Sequence, residues 1–189
     1  KEYGFDIPFE QQMAISREGL TVILDLLQKH EAKATFFSTV IFAQNAPELI
    51  ERLLSEGHEL ASHTYYHSDF AIEHLHTSKK ALESQFGVTV EGLRMPRMLE
   101  VSATDVKQAG YTYNSSVNPT FLPGRYNKLH VPRAMFREDD LWQIPAGVSP
   151  WRIPLFWLSF HNFPLWYYKY LLSRTVDRSE ERRVGKECR

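Results

Sequence analysis

The 189-residue chain nearly lacks cysteine: its one thiol, Cys188, is the penultimate residue. That excludes a disulfide framework and any metal site built on several thiolates, so a bound metal must use nitrogen and oxygen donors. Net charge is also near absent: 22 Lys and Arg face 23 Asp and Glu, for −1 overall. Nothing in that balance calls for nucleic acid as a partner. Long apolar runs are missing as well. The most aromatic stretch, PWRIPLFWLSFHNFPLWYYKYLL at 150–172, is broken by Arg152, Pro154, His161, Pro164 and Lys169. It falls short of the roughly 18 uninterrupted apolar residues of a spanning helix. A buried wall, a stacking platform for sugar rings and a face resting on a membrane all remain open for it. The chain also lacks an initiating Met, and its opening KEYGFDIPFE reads as the interior of a longer sequence.

What is present suits a soluble fold. With 43% apolar and 24% charged residues, the chain can bury the core of one domain. Met13, Leu20, Ile23, Leu24 and Leu27 recur at helical spacing and predict an amphipathic helix over 11–31. ATFFSTV at 34–40 reads as a buried parallel strand. A helix follows over 46–58, with Pro47 in its first turn and Gly57 as its stop. HELASH at 58–63 is the next strand. A polar helix is expected over 69–86, ending before Gly87, then a strand at 92–96. Ser102 caps a helix over 102–111 that stops at Gly110, and a strand follows at 112–117. This alternation predicts a parallel sheet or a (β/α) barrel. In such folds chemistry sits at the C-terminal strand ends, where His63, Arg94 and Asn114 fall. Beyond 120 the pattern weakens, leaving a strand at 141–148 and a helix at 166–176.

His63 and His67 stand four residues apart in HTYYH, directly after a strand. Neutral imidazoles are the commonest metal ligands near neutral pH. Alone the spacing is a weak signal, because eight histidines make chance pairs easy. His30, His58, His74 and His76 read as surface residues. A zinc-protease motif is excluded, since Thr64 stands where that motif needs Glu, and the pair leaves a strand rather than riding a helix.

The flanks add specificity. KATFF, then EGHELASHTYYH, then LRMPR, then AGYTYNSS, in one helix–strand rhythm, resembles the polysaccharide deacetylase family (carbohydrate esterase family four, the NodB-homology domain). The resemblance runs from about residue 12 to about residue 120. It implies a distorted (β/α) barrel, here incomplete, with the first and last strands missing. It also implies a hydrolase that removes N-acetyl groups from an N-acetylated polysaccharide or a lipid-linked saccharide precursor. By the same resemblance, His63 and His67 are ligands of a divalent metal, most often Zn2+. Thr64 braces their loop, Arg94 holds the catalytic aspartate through its rigid fork, and the loop of Pro96 and Arg97 lines the oxyanion position with the Arg97 N–H.

Two family parts have no clear counterpart. The aspartate pair that supplies the base and third ligand is expected upstream of Lys1; Asp6 is the only acid near the start in an apolar setting. The histidine acting as general acid is expected beyond the C-terminus, with His161 in LSFHNFP as a stand-in and His130 behind it. Where relatives carry an acid that orients this histidine, the equivalent here is Asn114, a neutral amide. The sequence as given is therefore expected to show little deacetylase activity. The alternative is a non-catalytic carbohydrate-binding or scaffold domain. A third reading keeps the chemistry but changes the substrate to another N-acyl or imide C–N bond. RSEERRVGKECR at the end resembles translated vector sequence, so 1–176 is read as the partial domain and 177–189 as a non-native charged tail.

Overall fold

Thr39 ends a strand and starts a helix in one step, and that economy sets the pace of the first half of the chain. The computed structural model describes residues 7–124 and 126–187. Asp6 and Cys188 lie outside the described residues. The chain divides into two units, one ending at Asn114 and one beginning at Ser115.

The first unit opens with helix α1, Phe9–Lys29, followed by strand β1, Thr35–Ser38. The Thr39 side chain accepts from the Phe42 N–H and caps α2, Val40–Asn45, a short helix the sequence pattern does not predict. Then come α3, Pro47–Ser55, and β2, Glu59–Ser62. Helix α4, His74–Phe86, ends on Gly87 in the left-handed region, as expected of that glycine. It starts five residues later than the pattern predicts, because residues 63–73 form a loop instead. Strand β3 is Gly92–Leu93, and a tight turn follows at Pro96–Met98. Ser102 caps α5, Ala103–Gln108, by accepting from the Asp105 N–H, and β4 is Tyr113–Asn114.

The four strands of this unit run parallel, in the order β1-β2-β3-β4, as an open sheet. The register aligns Ser38 with Ser62, Ser62 with Leu93, and Leu93 with Asn114. The C-terminal ends of all four strands are therefore level, the position at which open parallel sheets bind ligands. The predicted α/β class with a parallel sheet holds. β1 is shorter and more exposed than a buried central strand should be: among the described residues it stands at one edge of the sheet.

Helices α3 and α4 both pack against β2. Leu53, Leu60, Leu82 and Leu93 are each 2% exposed or less and form the centre of the core. Burying a leucine side chain contributes about 1.5–3 kcal/mol. Helix α1 contributes one fully buried residue, Leu24, and is otherwise tied to α3 by the ion pairs Arg17–Glu48 and Arg52–Asp25. Those pairs are largely exposed and each is worth about 1 kcal/mol or less. Ile23, expected to face inward, is exposed along with Ile15, Val22 and Leu26. His58 is a second difference. Its side chain is 1% exposed rather than a surface group, because it lies at the start of β2, with Nδ1 accepting from the Ala34 N–H and Phe36 packed on its edge.

The second unit holds the antiparallel ribbon of β5, Phe121–Leu122, and β6, Tyr126–Asn127, and a second hairpin of β7, Phe136–Glu138, and β8, Leu141–Gln143. The strand predicted at 141–148 is thus only three residues long. Helices α6, Trp157–Asn162, and α7, Leu165–Glu187, complete it. The aromatic stretch is not a buried wall. Trp151, Phe160, Trp166 and Tyr170 are all exposed, with Trp151 and Tyr170 stacked 6.1 Å apart. Among the described residues no helix is long and apolar enough to cross a membrane.

Candidate functional site

At the end of β2 the backbone still follows the sheet: the His63 N–H donates to the Ser38 carbonyl at 2.8 Å, and the Arg94 N–H donates to the Ser62 carbonyl at 2.9 Å. Thr64 then turns the chain with φ at 65°. A β-branched residue in the left-handed region costs on the order of 1–3 kcal/mol and persists only where its surroundings fix it. Here they do. The Thr64 N–H donates to Ser62 Oγ at 3.2 Å, and Thr64 Oγ1 donates to the Tyr66 carbonyl at 2.9 Å. The Thr64 and Tyr65 carbonyls accept from Val40 and Ile41, the first N–H groups of α2, which have no partner inside their helix. The bracing expected of Thr64 is thus made by both its side chain and its backbone.

The turn sets the His63 and His67 rings 5.4 Å apart, centroid to centroid, at 47°. His63 Nδ1 lies 2.6 Å from the Arg94 carbonyl oxygen. A carbonyl can only accept, so the ring carries its proton on Nδ1 and keeps the lone pair on Nε2. This is the backing that metal-binding histidines commonly receive. Burial is the largest cause pushing the His63 pKa down, to about 4, helped by the charges of His67 and Arg94 and opposed by the Arg94 carbonyl. The imidazole is therefore neutral, hence ligand-competent, near neutral pH. His67 is exposed.

The separation of the two rings matches that of two imidazoles on one ion. Two imidazoles on one tetrahedral zinc, with Zn–N of about 2.0–2.1 Å, have centroids roughly 5 Å apart. Among the described residues no third His, Cys, Asp or Glu joins them in a group that could hold an ion.

Arg94 contributes more than its backbone. Its guanidinium lies over the ring of Phe37 on β1, two strands away, 4.5 Å from the centroid. Such a contact fixes the orientation of a planar cation. Burial lowers the Arg94 pKa, with Tyr113 opposing. Arg97 is exposed, at φ 55°, and Met98 follows at φ 55°. Two successive non-glycine residues in the left-handed region mark the Pro96–Met98 turn as strained, and strain of this kind gathers at functional loops. Asn114 is buried at the end of β4. His161 belongs to the second unit, in the last turn of α6, with its ring edge-on to Phe160 at 5.6 Å. His130 is exposed in the same unit.

A hollow of about 460 Å3 opens beside His63, between α1 and the strand ends. Leu20, Ile23, Phe36 and Phe37 supply its apolar walls, and Ser38 and Thr39 its polar rim. Phe37 was missed by sequence reasoning, because nothing in KATFF indicates which of its aromatics meets Arg94.

The family model for polysaccharide deacetylases matches residues 7–114. The chain is 47% identical over 49 residues to a chitooligosaccharide deacetylase of Bradyrhizobium sp. (strain ANU 289), a match covering 26% of this chain and 22% of that protein. It spans about a quarter of the length of the curated relatives it matches. Among solved structures, a Mycobacterium smegmatis protein assigned to the polysaccharide deacetylases superposes with TM-score 0.53 at 24% identity, over 68% of this chain and 46% of that one. Puue allantoinase superposes with TM-score 0.54 at 19% identity, over 77% and 50%. These two likenesses bear on the fold alone.

Proposed function

We propose, from the premise that this chain belongs to the polysaccharide deacetylase family, that the protein carrying it hydrolyses the amide of N-acetyl groups on a glycan. The substrate is an N-acetylated polysaccharide or a lipid-linked saccharide precursor. The matched relative named for chitooligosaccharide supports that class. The observation that carries the reading is the His63 ring, held through Nδ1 by the Arg94 carbonyl, with the His67 ring beside it.

His63 and His67 would hold a divalent metal, Zn2+ by the nature of the donors. Such an ion lowers the pKa of a water molecule and polarises the acetyl carbonyl. Arg94, steadied over Phe37, orients the carboxylate that takes the water's proton; its planar fork matches a carboxylate in a way lysine does not. The backbone N–H of Arg97 donates to the acetyl oxygen as negative charge gathers there. Hydroxide adds to the acyl carbon, the C–N bond breaks, and the nitrogen leaves with a proton, giving acetate and a free sugar amine. No step is assigned to His161.

Acetate release from N-acetylglucosamine oligomers by the natural protein that carries this chain tests the reading. Zn2+ should support turnover, chelation should abolish it, and His63→Ala or His67→Ala should each lower kcat/KM by at least about a hundredfold. Turnover that survives chelation and both substitutions would overturn it.

A further inference from the structure

Behind the histidine turn lies a line of buried hydroxyls that the scheme above does not use. Ser62 and Ser78 are fully buried, and their Oγ atoms are 3.1 Å apart, joining the end of β2 to α4. Ser78 Oγ also contacts the His74 carbonyl and lies 3.2 Å from the Tyr111 hydroxyl. The Tyr111 hydroxyl in turn lies 2.8 Å from the Leu75 carbonyl.

Proton counting orders this group. Each hydroxyl has one proton, and carbonyls only accept. Tyr111 gives its proton to Leu75 and Ser78 gives its own to His74. Ser78 Oγ is then an acceptor for Ser62, and Ser62 Oγ is an acceptor for the Thr64 N–H at 3.2 Å. The result is a one-way chain, Thr64 N–H to Ser62 to Ser78 to the His74 carbonyl. Tyr111 lies against both Ser62 and Ser78 from the side, and its own proton goes to the Leu75 carbonyl.

We propose that Ser62 and Ser78 are positioning residues for the histidine pair: their hydroxyl chain anchors the left-handed turn at Thr64 to helix α4, and so fixes how His63 and His67 converge. The inference rests on the metal reading above for its purpose, but not for its geometry. Bonds in such a chain polarise one another, and a buried hydroxyl that loses its acceptor seeks another partner. Removing Ser78 therefore reaches Thr64 through Ser62, although Ser78 stands sixteen residues from Ser62 and touches neither histidine ring.

The test has a metal-free arm and a metal arm. Amide hydrogen exchange at Thr64 in the metal-free chain should speed up by about tenfold or more in Ser78→Ala, and stay near wild type in Tyr111→Phe. Cobalt titration, read by its visible absorption, should show affinity falling about ten- to a hundredfold in Ser78→Ala and little change in Tyr111→Phe. Ser62→Ala, acting from the strand side, should reproduce the Ser78→Ala pattern, which covers the case in which α4 is disturbed. Wild-type exchange at Thr64 in Ser78→Ala would overturn the proposal. So would equal losses in Ser78→Ala and Tyr111→Phe, which would mark general loosening of the core. If the unaltered chain takes up no cobalt, the metal reading fails, while the exchange arm still decides the relay.

Discussion

His63 Nδ1 donates to the Arg94 carbonyl across 2.6 Å, so the free lone pair of a histidine on one strand is fixed by the backbone of a residue thirty-one positions away on the next. The parallel register places both residues one step past their strands, level with each other. The contact uses no side chain of Arg94, which separates what that residue does for the histidine pair from what its guanidinium does.

That separation can be measured. Arg94→Lys keeps the carbonyl but loses the planar group lying over Phe37. Metal affinity of this chain should stay within about threefold of wild type, while deacetylation by the natural protein should fall by about a hundredfold or more. Isothermal titration and acetate release give the two readings. Equal loss in both would mean that the side chain and backbone act as one.

Acid should act on His63 in metal-free protein. Its folded-state pKa is lowered from 6.5 to about 4, so the unfolded chain takes up the proton first as pH falls. The stability that depends on the neutral ring is present above about pH 6.5 and is lost as pH falls towards about 4, by on the order of 3 kcal/mol at the lower end. Ring resonances followed by NMR should show His63 still neutral at pH 5.5. A midpoint near 6.5 would contradict the burial that lowers it.

Gly92 should tolerate no side chain. A Cβ added there would overlap the Tyr113 ring, whose hydroxyl donates to Glu59 at 2.7 Å. Gly92→Ala must displace that ring and open a bond that ties β4 to β2. Urea unfolding should show a loss of about 1–3 kcal/mol, and a Tyr113→Phe background should relieve only part of it, since the added Cβ overlaps ring carbons as well as the hydroxyl.

Leu24 is the apolar anchor of helix α1. It is the helix's only fully buried side chain, so Leu24→Ala should cost about 2–5 kcal/mol. Val22→Ala and Leu26→Ala on the exposed side should each stay within about 0.5 kcal/mol. Chemical denaturation of the three variants would rank them.

Much of the fold was legible because its signals are local. Ser102 caps α5, Gly87 and Gly110 end helices with positive φ, and Pro47 opens α3, all within a turn of where the sequence puts them. Element lengths were less legible. Strands β3 and β4 each shrink to two paired residues, since a parallel strand keeps only the pairs its neighbour supplies. Helix α4 starts late because residues 63–73 go to the histidine turn, where the Ala71 N–H bonds to His74 Nδ1. The second unit was nearly unreadable, as its prolines and aromatics follow neither a helical nor a strand period.

By itself the amino-acid sequence determined the identity and spacing of the histidine pair, the glycine stops of α4 and α5, and the parallel α/β class, because each depends on residues within a few positions of one another. Only the tertiary structure decided which atoms support that pair. The Arg94 carbonyl under His63, Phe37 under Arg94 and Ser78 behind Ser62 are contacts between segments that meet only after the sheet has set its register. No periodicity along the chain encodes such meetings, since they follow from strand order and from the depth at which each helix packs.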